Sequence, residues 1–277
     1  MKSPVSSGRV AVLIPLYKTA LSAAEEFSLR TTLDVLRGRD IFVIGPEKLR
    51  DSLESYKKKT GLSFQLSLYK DEFFSSINGY NSLLMTKSFY TTFAGYEYIL
   101  ISQTDALVFS DQLDSWCQRN YSYIGAPWFV GFDKPQKPLT FLGVGNGGLS
   151  LRKVNDFIRF LSVPRWMPNA QLRLGNNHNV TNPLKQILIH KYLFAYNFPP
   201  LLPRINEDGF WGLLAPQCCS FFTVPPAKEA VAFAFDAEPR YLYELNHQQL
   251  PFGCHAWERY DRAFWEQELI GRGIKLP

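Results

Sequence analysis

The chain has 277 residues, 46% hydrophobic and 20% charged, a composition that excludes disorder and allows one sizeable core. The net charge of +5 is spread along the chain with no basic stripe, which excludes nucleic acid as a partner; the one basic run, Lys57-Lys58-Lys59, reads as a solvated helix end. No apolar stretch reaches the roughly 18 residues of a spanning helix, so there is no transmembrane segment, while mild basicity is compatible with a peripheral place on a membrane.

The start, "MKSPVSSGRVAVLIPLYK", lacks a small-residue cleavage pattern and reads as a first strand rather than a signal peptide. Cys117, Cys218, Cys219 and Cys254 show no C-x-x-C spacing, which argues against zinc and against a disulfide framework. A reducing, cytoplasmic compartment is expected. With 22 Phe, 14 Tyr and 6 Trp, the chain has rings to spare for lining a pocket.

Strand and helix patterns alternate through the first half. Residues 9–16 read as a buried strand and 20–37 as a helix ending before Gly38. Residues 41–45 form a second strand, Pro46 opens a helix that ends at Thr60-Gly61, and residues 64–69 alternate as a third strand. Residues 81–94 read as a helix feeding a fourth strand, "YEYILISQTDALVF", which runs into Asp105. This order predicts an α/β fold: a mostly parallel central sheet with helices on both faces. Such sheets bind ligands at the carboxyl ends of their strands, where Tyr17, Lys18 and Asp105 fall. A carboxylate between two apolar runs needs a partner, so Asp105 is expected to face a crevice.

The second half is irregular α+β, with Pro127, Pro135 and Pro138 in one loop and Pro164, Pro168 and Pro183 in another. Short elements stand between the loops, namely "GGLSLR" and a helix over residues 183–194. No linker separates the halves, so one domain over 1–277 is expected, with about 9–125 binding one substrate and about 126–277 the other.

Three constellations carry candidate chemistry. "GVGNGG" fits G-x-G-x-x-G at Gly143, Gly145 and Gly148, but a strand-like "LSLR" follows it and Asp156 comes too soon for a dinucleotide site. The remaining readings are a glycine turn into a strand, or bare backbone that lets a flat ring such as a sugar approach. "NEDGFWG" sets Glu207 and Asp208 before an apolar helical run. They read as acidic residues in a first turn capped by Asn206, or as a general base with Trp211 as a sugar platform. "PFGCHAWERY" presents His255 after a Pro/Gly turn and ahead of a helical apolar face of Trp257, Tyr260, Phe264 and Trp265. A satisfied polar residue and a ligand or phosphate contact are equally good readings of it. His178, His190 and His247 stand at no metal-ligand spacing. Neither G-x-S-x-G nor a Walker A sequence occurs.

Taken in order, "VAVLIPLYK", "YEYILISQTDALVF", "YIGAPW", "GNGGLSLRK", "NEDGFW" and "PFGCHAW" resemble a glycosyltransferase of the GT-A type. Within that fold they resemble a bacterial family long labelled only as a domain of unknown function. The likeness covers about residues 9–260. It implies a nucleotide-sugar donor, a glycan or lipid-linked glycan acceptor, and a role in surface polysaccharide synthesis, at the inner face of the membrane if membrane-associated.

It also implies that Asp105 meets the donor diphosphate through Mn²⁺ or Mg²⁺, with His255 as a late-chain ligand. Asp208 would be the general base, Glu207 would bond the acceptor, and displacement would be single, with inversion. Tyr17, Lys18, Gln103, Thr104 and Arg152 would line the donor site. Trp128, Asn146, Gly147, Gly148 and Trp211 would shape the sugar and acceptor sites. The chain departs from the usual Asp-x-Asp, having Gln103-Thr104-Asp105. A metal would then be held weakly, or Lys18, Arg152 or His255 would carry the phosphate charge without one. Two other classes stand beside the transferase: a sugar-binding module without catalysis, and a nicotinamide oxidoreductase resting on the glycine pattern alone.

Overall fold

The computed structural model describes residues 10–162, 206–274 and 276–277. The expected loop over 163–183 and helix over 183–194 lie outside these residues. β1 (Val10–Pro15), β2 (Asp40–Pro46), β3 (Gln65–Tyr69) and β4 (Tyr98–Ser102) are mutually parallel in the order β3-β2-β1-β4. β9 (Leu149–Lys153) continues the sheet antiparallel to β4, and β6 (Tyr123–Ile124) pairs antiparallel with β9. The expected α/β fold with a mostly parallel central sheet is therefore present, and the second half of the sequence supplies one of its inner strands.

Both faces of the sheet are buried. Val10, Val12 and Ile14 of β1 pack on one side with Tyr98 and Leu100 of β4, beneath α1 (Ala23–Val35), α2 (Arg50–Thr60) and α5 (Leu113–Gln118). The alternate residues Ala11, Leu13, Ile99 and Ile101 pack on the other, with α3 (Ile77–Leu84), α4 (Lys87–Thr92) and α6 (Val154–Ser162). Continuous apolar strands with period-2 partitioning are what a two-faced parallel sheet requires.

Local chemistry sets the helix ends. Ser22 and Glu25 form a reciprocal capping box at the start of α1, with N–H donors 3.2 and 2.7 Å from their acceptors. Gly61 closes α2 at φ +69°. The helix expected over residues 81–94 is two helices, because Thr86 takes an extended conformation and its hydroxyl accepts from the N–H of Phe89 to start α4.

The fourth strand also divides. After Ser102 the chain leaves the central sheet, and β5 (Ala106–Val108) joins a second sheet with β10 (Ala234–Phe235) and β11 (Gly253–His255). His255 thus ends a strand instead of preceding a helix; the last helix is Arg262–Ile270, and Trp257 and Tyr260 lie in the turns before it. A hairpin of β7 (Ala126–Phe129) and β8 (Phe141–Gly145) completes the fold.

Leu100 lies fully buried at the centre of β4. Leu100→Ala is expected to lower the unfolding free energy by about 2–5 kcal/mol, read from urea denaturation midpoints.

Candidate active site

Gln103-Thr104-Asp105 is the crossing between the two sheets. The Gln103 N–H donates to the Gly148 carbonyl at 2.7 Å, and the Ala106 N–H donates back to the Gln103 carbonyl at 3.0 Å, so the chain turns sharply there. Thr104 is buried in this turn and Asp105 is partly exposed. β11 runs antiparallel to β5 with His255 opposite Ala106, which brings His255 Nε2 to 3.4 Å from Asp105 Oδ1. On the other side of the ring, Asp236 Oδ1 lies 3.5 Å from His255 Nδ1. Burial pulls the imidazole pKa down, but the two aspartates outweigh it and push it up to about 10. Burial likewise raises Asp105, and His255 reverses this to a net lowering.

Asn146, Gly147 and Gly148 form the turn between β8 and β9, so the glycine pattern opens a strand and no helix begins at Gly148. That geometry removes the dinucleotide reading. Asn146 takes φ +80°, and its side-chain oxygen accepts from the N–H groups of Gly148 (2.8 Å) and Leu149 (3.2 Å). Its own carbonyl accepts from the Tyr123 hydroxyl at 2.9 Å. The glycines are bare because side chains of the site occupy their Cβ space. A Cβ on Gly148 would stand 2.2 Å from His255 Nε2, and one on Gly147 would stand 2.8 Å from Glu207 Oε1.

Residues Glu207–Gly209, Phe210–Leu214 and Ala215–Cys218 run on as one helical segment whose middle widens into π turns, a feature frequent at functional sites. The Asn206 side chain does not cap it; its oxygen accepts from Asn81 of α3 at 2.9 Å. Asp208 accepts from the N–H of Gly147 at 2.9 Å and from that of Gly209 at 2.8 Å. Burial raises its pKa, and these N–H groups, with Arg152 and His255, offset part of the rise.

Glu207 and Arg152 are committed to each other. Two guanidinium nitrogens donate to the two carboxylate oxygens at 2.8 Å each, with side-chain exposures of 0% for Arg152 and 3% for Glu207. Arg152 also donates to the Tyr90 hydroxyl (3.1 Å) and to Ser150 (3.0 Å). The carboxylate holds Arg152 firmly charged. Burial pulls Glu207 upward against Arg152, yet a fork on both oxygens is the geometry of an ionised carboxylate. Glu207 therefore has no free oxygen edge for an acceptor, and Arg152 is not available to a donor phosphate.

Trp211 departs from its expected role as a sugar platform. It is 0% exposed and stacks on Phe222 at 5.4 Å, inside the core face shared with Phe157 and Phe160. Trp128, partly buried, covers the space above Gly145 and packs edge-on against exposed Phe132 at 5.3 Å. Tyr17 is 58% exposed beyond the end of β1, and exposed Lys18 pairs with Glu25 at 2.8 Å.

Among the described residues no group of three or more His, Cys, Asp or Glu is placed to hold a metal ion. Asp105 and His255 fit two ligands of a shared shell. Their 3.4 Å separation is close to the edge of an octahedron, about 3 Å for bonds of ~2.1 Å, and Asp105 Oδ1 is buried without a hydrogen bond. Diphosphate oxygens and water would fill the rest. Sequence reading missed Asp236, Tyr90 and Tyr123. Asp236 carried a signal, a carboxylate directly after the apolar run Val231–Phe235, the same pattern that singled out Asp105.

Arg152→Ala strands a buried carboxylate and is expected to destabilise by about 3–5 kcal/mol, measured by urea unfolding. Gly148→Ala is expected to leave the melting temperature within a few degrees while displacing the His255 ring, visible as a shifted imidazole resonance in NMR spectra.

No curated protein matches the chain. Among solved structures, an active-site mutant of LgtC superposes with a TM-score of 0.51 at 13% identity, covering 88% of this chain and 86% of that one. The apo glycosyltransferase GlyE of Streptococcus pneumoniae TIGR4 is similar at a TM-score of 0.48 and 11% identity, over 97% of this chain and 65% of that one, so this chain spans about two thirds of GlyE. Apo mouse xyloside xylosyltransferase 1 is similar at a TM-score of 0.49 and 8% identity, over 90% and 96%. The fold is that of GT-A glycosyltransferases. Residues 63–255, which hold every residue of the site except Tyr17 and Lys18, match the family described as "Protein of unknown function (DUF5672)", and the chain belongs to that family.

Proposed function

We propose that the protein is a glycosyltransferase that moves a sugar from a nucleotide-sugar donor to a hydroxyl of a glycan or lipid-linked glycan, in surface polysaccharide synthesis on the cytoplasmic face of the membrane. One observation carries this reading. The Asn146–Gly148 turn brings two chemistries to neighbouring residues, with the Asp105–His255 pair against Gly148 and the Asp208 carboxylate bonded to Gly147.

Asp105 and His255 would hold Mn²⁺ or Mg²⁺, which draws charge from the leaving diphosphate when bound. Tyr17 and Lys18, at the end of β1, face the nucleotide, with Gln103 and Thr104 shaping the floor. Asp208 takes the proton of the acceptor hydroxyl as its oxygen attacks the anomeric carbon. The new C–O bond forms as the bond to the diphosphate breaks, and one displacement inverts the anomeric centre. Burial keeps Asp208 basic enough for this task, and its two N–H partners hold it oriented. Asn146 and Trp128, with Phe132, border the sugar.

A thermal-shift panel of UDP-, GDP-, CMP- and dTDP-sugars with and without Mn²⁺ tests the donor site. One nucleotide class at ~100 times its dissociation constant should stabilise the wild type by about 2.7 kcal/mol, and Asp105→Ala should abolish the shift. Silence across the panel would sink the reading. With the donor known, Asp208→Asn should keep the thermal shift and lose about 10²–10⁴ in turnover. An Asp208→Asn enzyme with undiminished turnover would remove the general-base role from Asp208, and a wild type that binds without transfer would move the assignment to a sugar-binding module. The rate should fall as pH drops through the Asp208 pKa, at a pH above the ordinary aspartate value near ~3.9, because the base must be unprotonated. NMR of the first-formed product reads the anomer.

A further inference from the structure

Behind His255, on the side away from Asp105, stands a carboxylate that the proposed reaction does not use. Asp236 follows β10, whose Phe235 pairs in parallel register with Cys254, so Asp236 is carried to the flank of His255. Its side chain is 12% exposed. Asp236 Oδ1 and His255 Nδ1 are both buried, 3.5 Å apart, and neither has a hydrogen-bond partner. Closing that gap satisfies both atoms at once. Across the ring, a Cβ on Gly148 would stand 2.1 Å from Cδ2 and 2.2 Å from Nε2, so the bare glycine lets the turn lie close to that side of the imidazole.

We propose that Asp236 is the positioning residue for His255, accepting the Nδ1–H so that the Nε2 lone pair is aimed at the ion shared with Asp105. The inference rests on the reading of Asp105 and His255 as a cation site. A histidine that ligates through one nitrogen needs a proton acceptor on the other to set its tautomer and ring angle and to raise its basicity. The strand register supplies that acceptor here. It also bears on the missing carboxylate of Gln103-Thr104-Asp105: with two protein ligands among the described residues, the orientation of each matters more to affinity.

The test is Mn²⁺ binding by the full chain, followed by electron paramagnetic resonance with Mn²⁺ alone as the probe. It is run anaerobically at alkaline pH, where protons compete least for the ring. Wild type should bind and show hyperfine coupling to a histidine nitrogen, and His255→Ala should lose both. Asp236→Asn should bind about 10–100-fold more weakly with the nitrogen coupling reduced, and Asp236→Glu should recover part of each. If Asp236→Asn does not fold, Asp236→Ser provides the same comparison. Wild-type affinity and coupling in a folded variant lacking this carboxylate would overturn the proposal while leaving the cation site standing. If wild type binds no Mn²⁺, or His255→Ala binds it equally well, the cation site itself fails and the proposal with it.

Discussion

The bidentate ion pair between Arg152 and Glu207 ties the central sheet to the helix that carries Asp208. Arg152 projects from β9, an inner strand, and Glu207 opens the helical segment, so one pair of 2.8 Å contacts joins residues 55 apart in sequence. Removing both charges from water is unfavourable, and the compensation comes from the fork itself, from the Tyr90 hydroxyl that shares Nη1 with the fork, and from the Ser150 hydroxyl on Nε. Apolar replacements could match its stability. What they could not supply is a fixed angle of entry for the helix, and with it the position of the next residue, Asp208.

The glycine turn depends on the same constraint from the other side. With Glu207 seated on Arg152, its carboxylate fills the Cβ space of Gly147, and Asp208 reaches the Gly147 N–H. One residue later, His255 fills the Cβ space of Gly148. Asn146 makes the turn affordable by adopting a left-handed conformation and using its side-chain oxygen to hold two N–H groups that the turn would otherwise leave unpaired. The Gln103 N–H on the Gly148 carbonyl then joins this turn to the crossing that bears Asp105. Four distant stretches of chain thereby converge through backbone contacts as much as through side chains.

The two-sheet arrangement explains how a single carboxylate and a single histidine come together. Had the fourth strand continued straight past Ser102, Asp105 would have come opposite Asn146, beyond the start of β9. Instead the chain changes sheets, and the antiparallel pairing of β5 with β11 sets His255 opposite Ala106. β10 adds Asp236 on the far side of the ring by the same strand pairing.

Unbroken apolar runs by themselves determined the strands that lie inside the sheet, because burial on both faces leaves no polar position in Val10 to Pro15 or Tyr98 to Ile101. The isolation of Asp105 after an apolar run, and the placement of Glu207 and Asp208 at a helix start, were likewise legible, since desolvation and helix polarity act locally. Tertiary structure alone decided which of these groups are free. Nothing local distinguishes Glu207 from Asp208, yet one is neutralised by Arg152 and the other faces the glycine turn. Nothing local distinguishes Trp211 from Trp128, yet one stacks on Phe222 inside the core and the other borders the surface. The strand break after Ser102 and the pairing of β11 with β5 depend on hydrogen bonds between segments about 150 residues apart, and no periodicity within either segment records them.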